Sequence, residues 1–170
     1  MAEKNLYTDV LTDRSLIRLP GEGRILDAVG GSTTFKVTSE DSNDQLGVYE
    51  ITIAPGLTGA KQHYHRFMDE TFIILEGTLT VLLAEKTAKI PAGGVVYVPR
   101  FTPHGFHNDT EETVKLMLLF NPAQKREGFF EGLYEVMSEN PIDPQKFFEL
   151  YQKYDSWPVD TADMLPAGEK

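Results

Sequence analysis

All four histidines of this 170-residue chain fall between positions 63 and 107. His63 and His65 stand two apart, Asp69 and Glu70 follow them, and His104 and His107 come well downstream. The sequence has no cysteine, so thiolate ligation and disulfides are excluded and imidazole and carboxylate are the available strong donors. Neutral imidazoles with one carboxylate suit a divalent transition metal: Fe, Mn, Ni, Co, Cu or Zn. Four such donors around an octahedral ion leave two positions open, as a metal that binds substrate, water or dioxygen requires.

These donors meet only if strands position them. Residues i and i+2 of a strand share a face, so His63 and His65 project together with Tyr64 opposite. A turn through Arg66–Asp69 lets Glu70 return beside them on the next strand, with Asp69 as the rival carboxylate. His104 follows Pro99 on a later strand or on the loop entering it. If His104 points inward, so does Phe106, and His107 faces away as a surface or interface histidine.

The chain offers such strands. β-Branched and apolar runs punctuated by Gly and Pro predict strands over 24–29, 33–38, 48–54, 63–67, 70–75, 78–83, 86–90, 95–98, 105–108 and 114–120, with a further short one at Leu16–Leu19. Glu76-Gly77 marks a turn, and 39–45 reads as a polar loop. Many short strands at regular spacing predict an all-β sandwich or barrel. After Phe120 the pattern turns helical. Asn121-Pro122 and Asp143-Pro144 each place an N-cap residue before a proline. Phe129, Phe130, Leu133, Val136 and Met137, then Phe147, Phe148, Tyr151 and Tyr154, recur at helical spacing. We expect a barrel over 1–120, helices packed on it over 121–157, and a flexible tail over 158–170.

The two histidine segments resemble the paired motifs of the cupins. His63-x-His65-x4-Glu70-x6-Gly77 matches the first. Gly93-x5-Pro99-x-Phe101-x2-His104-x3-Asn108 matches the second at all but one position, Phe101 standing where the family usually has Gly. The opening glycine of the first motif is displaced, with Gly56 and Gly59 flanking the usual position at Leu57. The resemblance implies a cupin-type jelly-roll barrel with a C-terminal two-helix extension. It implies His63, His65, Glu70 and His104 as metal ligands, with Glu70 preferred over Asp69 by the count to Gly77. Within the family the chain resembles single-domain cupins of the quercetin dioxygenase-like group, which share a Phe-Phe-Glu segment after the barrel, here Phe129-Phe130-Glu131. That resemblance implies a metal-dependent dioxygenase in which Glu70 also serves as a general base. A non-oxidative metal-dependent isomerase, lyase or decarboxylase, and a non-catalytic small-molecule-binding cupin, are the alternatives.

Alternation from the ligands places Phe67, Phe72 and Ile74 inward, with Tyr49, Ile51, Leu118 and Phe120 on neighbouring strands. Such a chamber suits a small apolar or aromatic substrate. Arg66 and Arg100 are read as rim charges. The formal net charge of −10 disfavours nucleic acid as a partner. No apolar run is long enough to span a membrane, and the first residues lack a signal-peptide core, so the expectation is cytoplasmic. Strands apolar on both faces (Thr71, Ile73, Leu75; Leu79, Val81, Leu83) need cover on both sides, which predicts a homodimer.

Overall fold

The computed structural model describes residues 13–28 and 30–165. In chain order its elements are β1 (Arg24–Ala28), β2 (Gly31–Val37), α1 (Ser39–Ser42), β3 (Gly47–Ile53), β4 (Thr58–Tyr64), β5 (Asp69–Glu76), β6 (Thr78–Leu83), β7 (Lys86–Pro91), β8 (Val95–Val98), β9 (His104–His107), β10 (Val114–Asn121), α2 (Arg126–Met137), α3 (Pro144–Lys153) and β11 (Trp157–Pro158). The strands form two antiparallel sheets, ordered β1-β2-β3-β10-β5-β8 and β11-β4-β9-β6-β7. This is the all-β barrel predicted, with its two C-terminal helices.

Period-two patterning sets the register. β3, β5 and β10 alternate buried and part-exposed residues along most of their length. Phe120 lies opposite Glu70, Leu118 opposite Phe72 and Tyr49, and Leu116 opposite Ile74 and Ile51, so one apolar face meets another across three strands. From the second sheet, Leu79, Val81 and Phe106 close the same core. Leu79 and Val81 therefore face inward, not outward as expected. Each fully buried side chain of this kind contributes roughly 1.5–3 kcal/mol. Gly59 allows close sheet contact, since a Cβ there would lie 2.0 Å from the Phe106 ring. Gly77 takes φ +74 at the turn between β5 and β6, where glycine carries no steric penalty.

Several expectations need correction. Leu16–Leu19 is not a strand; it is an exposed irregular segment with no partner strand among the described residues. The polar loop at 39–45 contains the short helix α1, because Thr38 and Asp41 close a reciprocal capping box. The strand expected over 63–67 instead runs from Thr58 to Tyr64. Asn121-Pro122 does not start a helix: β10 continues through Asn121, whose side-chain amide donates to the Gln45 carbonyl at 2.7 Å. The chain then turns through left-handed Gln124 and Lys125 into α2. Asp143-Pro144 does start α3, with Asp143 Oδ1 accepting from the backbone N–H of Gln145 and Lys146.

The helices pack on the barrel through split aromatic pairs. Phe130 enters the barrel, its ring 4.9 Å from Tyr49 and 6.3 Å from Phe35, while Phe129 packs on Tyr151 at 5.2 Å. Arg24 pairs with Glu131 at the surface. Residues 155–163 do not leave as a tail. Trp157 and Pro158 pair with Tyr64 and His63 of β4, Val159 N–H donates to Gln62, and Thr161–Asp163 form a 3₁₀ turn. Residues 166–170 lie outside the described residues, as do the first twelve on which the leader reading rested. Among the described residues no helix is long and apolar enough to cross a membrane.

Candidate metal centre

Three strands and the turn after the first of them bring the four donors together. His63 sits near the end of β4, His65 just past it, Glu70 near the start of β5, and His104 opens β9. β9 pairs with β4 so that His104 lies opposite His63. The three imidazole rings lie 4.5–5.2 Å apart. One donor atom from each of the four residues falls within 4.8 Å of all the others. All four side chains are buried, Glu70 to 2% exposure.

The hydrogen bonds decide which nitrogens face the centre. His63 Nδ1 donates to Lys61 O at 2.9 Å, His104 Nδ1 to Thr102 O at 2.9 Å, and His65 Nδ1 to Asp155 O at 2.6 Å. A carbonyl oxygen only accepts, so each Nδ1 carries a proton and each Nε2 is left to serve as a donor atom. Glu70 Oε2 lies 3.1 Å from His65 Nε2 and 2.7 Å from His104 Nε2. First-row metals bind such donors at about 2.1 Å, which spans about 3 Å between neighbouring donors and about 4 Å between opposite ones. The observed spacing and donor set fit one such ion.

Without an ion the cluster is strongly coupled. Burial pushes the His63 imidazole well below its ordinary value, aided by the charges of His104 and His65. Burial lowers His65 as well. For Glu70 burial acts upward, but the bond to His104 and the adjacent His65 imidazole outweigh it and hold the carboxyl well below its usual range. Burial likewise opposes charge on His104, yet its bond to Glu70 prevails and its pKa rises. These opposite shifts on Glu70 and His104 share one cause, their mutual contact, and a bound ion would compete with protons for the same atoms.

The neighbouring carboxylate is engaged elsewhere. Asp69 accepts from the backbone N–H and side chain of Arg100 and from the Tyr97 hydroxyl, and these bonds lower its pKa. Arg100 is therefore a rim charge, as expected, and Arg66 lies 3.6 Å over the Trp157 ring. His107 points away from the cluster, between strands β4 and β6. Phe101 adopts φ +64, the left-handed conformation that a glycine at this position would take, and its N–H donates to His65 O at 2.7 Å. The substituted motif position thus keeps the turn.

Among the residues expected to line a chamber, Phe72 reaches within 6.2 Å of the His104 ring and Phe120 within 6.0 Å of His65, ring to ring. Ile51, Ile74 and Leu118 fill the core, and Tyr49 donates its hydroxyl to Glu127 at 2.8 Å. Phe67 is the correction. β4 ends at Tyr64, so alternation from His65 does not carry through the following turn; Phe67 is 60% exposed and Met68 takes the buried place. Two open surface hollows, one beside residues 16–20 and one between α2 and α3, include none of the four donors.

Three residues around the centre escaped sequence reasoning. Tyr151 on α3 packs edge-on, 6.2 Å from the His63 ring. Asp155, itself buried, accepts the backbone N–H groups of Arg66 and Phe67 through its carboxylate and His65 Nδ1 through its carbonyl. Arg126 is 4% exposed and stacked on Phe129 and Phe120, at 3.7 and 4.7 Å. Of the three, Tyr151 alone carried a sequence signal, as a member of the second helical stripe.

The cupin domain family matches residues 49–120, the span that carries all four donors. Residues 49–120 therefore form a cupin domain. It is 26% identical over 133 residues to the quercetin 2,3-dioxygenase of Bacillus subtilis, a match over 74% of this chain and 37% of that enzyme. This cupin thus spans little more than a third of that relative's length. Its fold is similar to KdgF from Halomonas sp. (TM-score 0.54, 19% identity, 61% of this chain and 92% of that one). It is also similar to a variant of Bacillus subtilis oxalate decarboxylase (TM-score 0.53, 19% identity, 60% of this chain and 28% of that one).

Proposed function

We propose that this cupin is a metal-dependent dioxygenase acting on a small, largely apolar or aromatic organic substrate. The observation that carries the reading is the buried convergence of three Nε2 atoms and Glu70 Oε2, each imidazole held in the ligating tautomer by a backbone carbonyl. The likeness to a Bacillus dioxygenase supports the oxidative choice. A divalent ion bound there would supply Lewis acidity and, if redox-active, a route for electrons to dioxygen. His63, His65, Glu70 and His104 are the proposed ligands.

The chain's own residues set the rest. Glu70 is the carboxylate that would take the substrate's acidic proton, on the oxygen not turned to the imidazoles. Phe72 and Phe120 offer ring edges to an apolar substrate and exclude water, which strengthens every charge interaction inside. Turnover of a candidate substrate under air and under strict anoxia tests this reading. Product formation should stop without dioxygen; unchanged turnover with zinc alone would move the protein to a non-oxidative isomerase, lyase or decarboxylase.

We also propose a homodimer, through the outer face of β5 and β8. Val95 and Tyr97 on the edge strand β8 are each 61% exposed, beside Ile73 and Thr71 of β5. An apolar, unpaired edge of this kind is normally covered. Sedimentation should give a dimer that V95K with Y97K converts to monomer; a wild-type monomer refutes it.

A further inference from the structure

We propose that Arg126 is the receptor for a substrate carboxylate beside the four-donor centre, so that the substrate is an organic anion. The inference rests on reading that centre as the active site, and it narrows the substrate class.

Arg126 is a cation placed where a cation is costly. Nothing acidic pairs with it: among the described residues no carboxylate forms an ion pair with the guanidinium. Its neighbour Glu127 is committed to the Tyr49 hydroxyl and to Ser39. Both hydrogen bonds of the guanidinium to described residues come from Nη1, to Tyr154 O at 3.0 Å and Ser156 Oγ at 2.9 Å. Nε is fully buried and has no partner. A buried charge with an orphaned donor is a feature that natural interiors avoid unless something else completes it.

The location points to the completing group. Phe120 neighbours both the guanidinium and His65: Arg126 Cζ is 4.7 Å from its ring centre, and the His65 ring is 6.0 Å away. Burial lowers the Arg126 pKa to about 10, and Glu70 is the foremost charge opposing that shift. At neutral pH the group therefore keeps its proton. Nε and Nη2 share one edge of the planar fork, the edge that receives a carboxylate side-on with two parallel hydrogen bonds. An oxyanion there would sit against Phe129 and Phe120, with the remainder of an apolar molecule directed toward the centre. The bland alternative is that Arg126 only ties residues 154–156 to the barrel.

Calorimetric titration of the full chain with benzoate and with benzamide, which has the same shape and no charge, separates these readings. Metal content is measured alongside, and each titration is run on metal-loaded and metal-free protein. Wild type should bind benzoate at least about tenfold more tightly than benzamide in both forms. Arg126→Met should erase the preference, and Ser156→Ala, which removes only the structural bond, should leave it intact. Equal affinity for the two ligands in metal-free wild type, or no measurable benzoate binding, overturns the proposal even if Arg126→Met fails to fold. A preference that appears only with metal and survives Arg126→Met also overturns it while leaving the metal reading intact. A protein that takes up no metal refutes the metal reading alone, and the benzoate preference of the metal-free form then still reports on Arg126.

Discussion

The three imidazoles of the centre are oriented from two different places. His63 and His104 each donate Nδ1 to a carbonyl two residues upstream, Lys61 and Thr102, so the barrel fixes them with its own local backbone. His65 donates to Asp155, ninety positions further along the chain and outside the matched family region. Asp155 takes φ +57 and grips the turn after β4 through its carboxylate, while Arg126 holds the flanking Tyr154 and Ser156. The difference teaches that two of the proposed ligands are preorganised by the cupin domain and the third depends on the extension. Orientation of a ligand's far nitrogen contributes to metal affinity nearly as directly as the ligand itself.

The largest effect should come from removing a locally held donor. His104→Ala deletes one Nε2 and strands Glu70 as a buried carboxylate without its closest partner. Metal affinity should fall by more than about a hundredfold, beyond the range for outer groups, as read by elemental analysis after dialysis. Full metal retention would mean the ion, if any, binds elsewhere.

A smaller loss should follow from loosening the distant hold. Asp155→Ala keeps the backbone carbonyl but removes acceptors from two backbone N–H groups and from the Trp157 indole at 3.1 Å. Hydrogen bonds to a charged acceptor contribute about 1.5–3 kcal/mol each but are less than additive when they share one carboxylate, so a stability loss of about 3–5 kcal/mol is expected in denaturant unfolding. Metal affinity should drop about tenfold in the fraction that stays folded. If affinity were untouched while stability fell, the extension would be a structural brace with no part in the metal site.

This division also explains what the sequence could disclose. The His63, His65, Glu70 and His104 spacing was legible because it matches the two cupin motifs, and the surrounding barrel was legible because β5 and β10 carry the two-residue period nearly unbroken. Phe67 misled because periodicity ends where the strand does. Leu79 and Val81 misled because a strand apolar on one face does not announce which sheet it joins. Arg126 and Asp155 could not be read at all. A buried arginine looks like any first-turn helix charge, and an aspartate after a helix looks like a cap; only the return of residues 154–158 along β4 gives either a role.

The smallest effect sharpens the local half of the comparison. Phe101 holds a conformation that costs an L-residue roughly 1–2 kcal/mol, in the turn that delivers His104 and caps the His65 carbonyl. Its ring is 64% exposed, so little burial is lost on its removal. Phe101→Gly relieves the backbone penalty but adds roughly 0.5–1 kcal/mol of unfolded-chain entropy. The balance should be a gain of about 0.5–1 kcal/mol, which for a chain of this size raises Tm by about 1–4 °C. Metal affinity should stay within about twofold, because His104 takes its orientation from Thr102 O and not from the Phe101 side chain. A loss of stability would show instead that the exposed ring is covered in solution. The subunit contact would then extend from Val95 and Tyr97 to this turn, and the effect would disappear in the V95K/Y97K monomer.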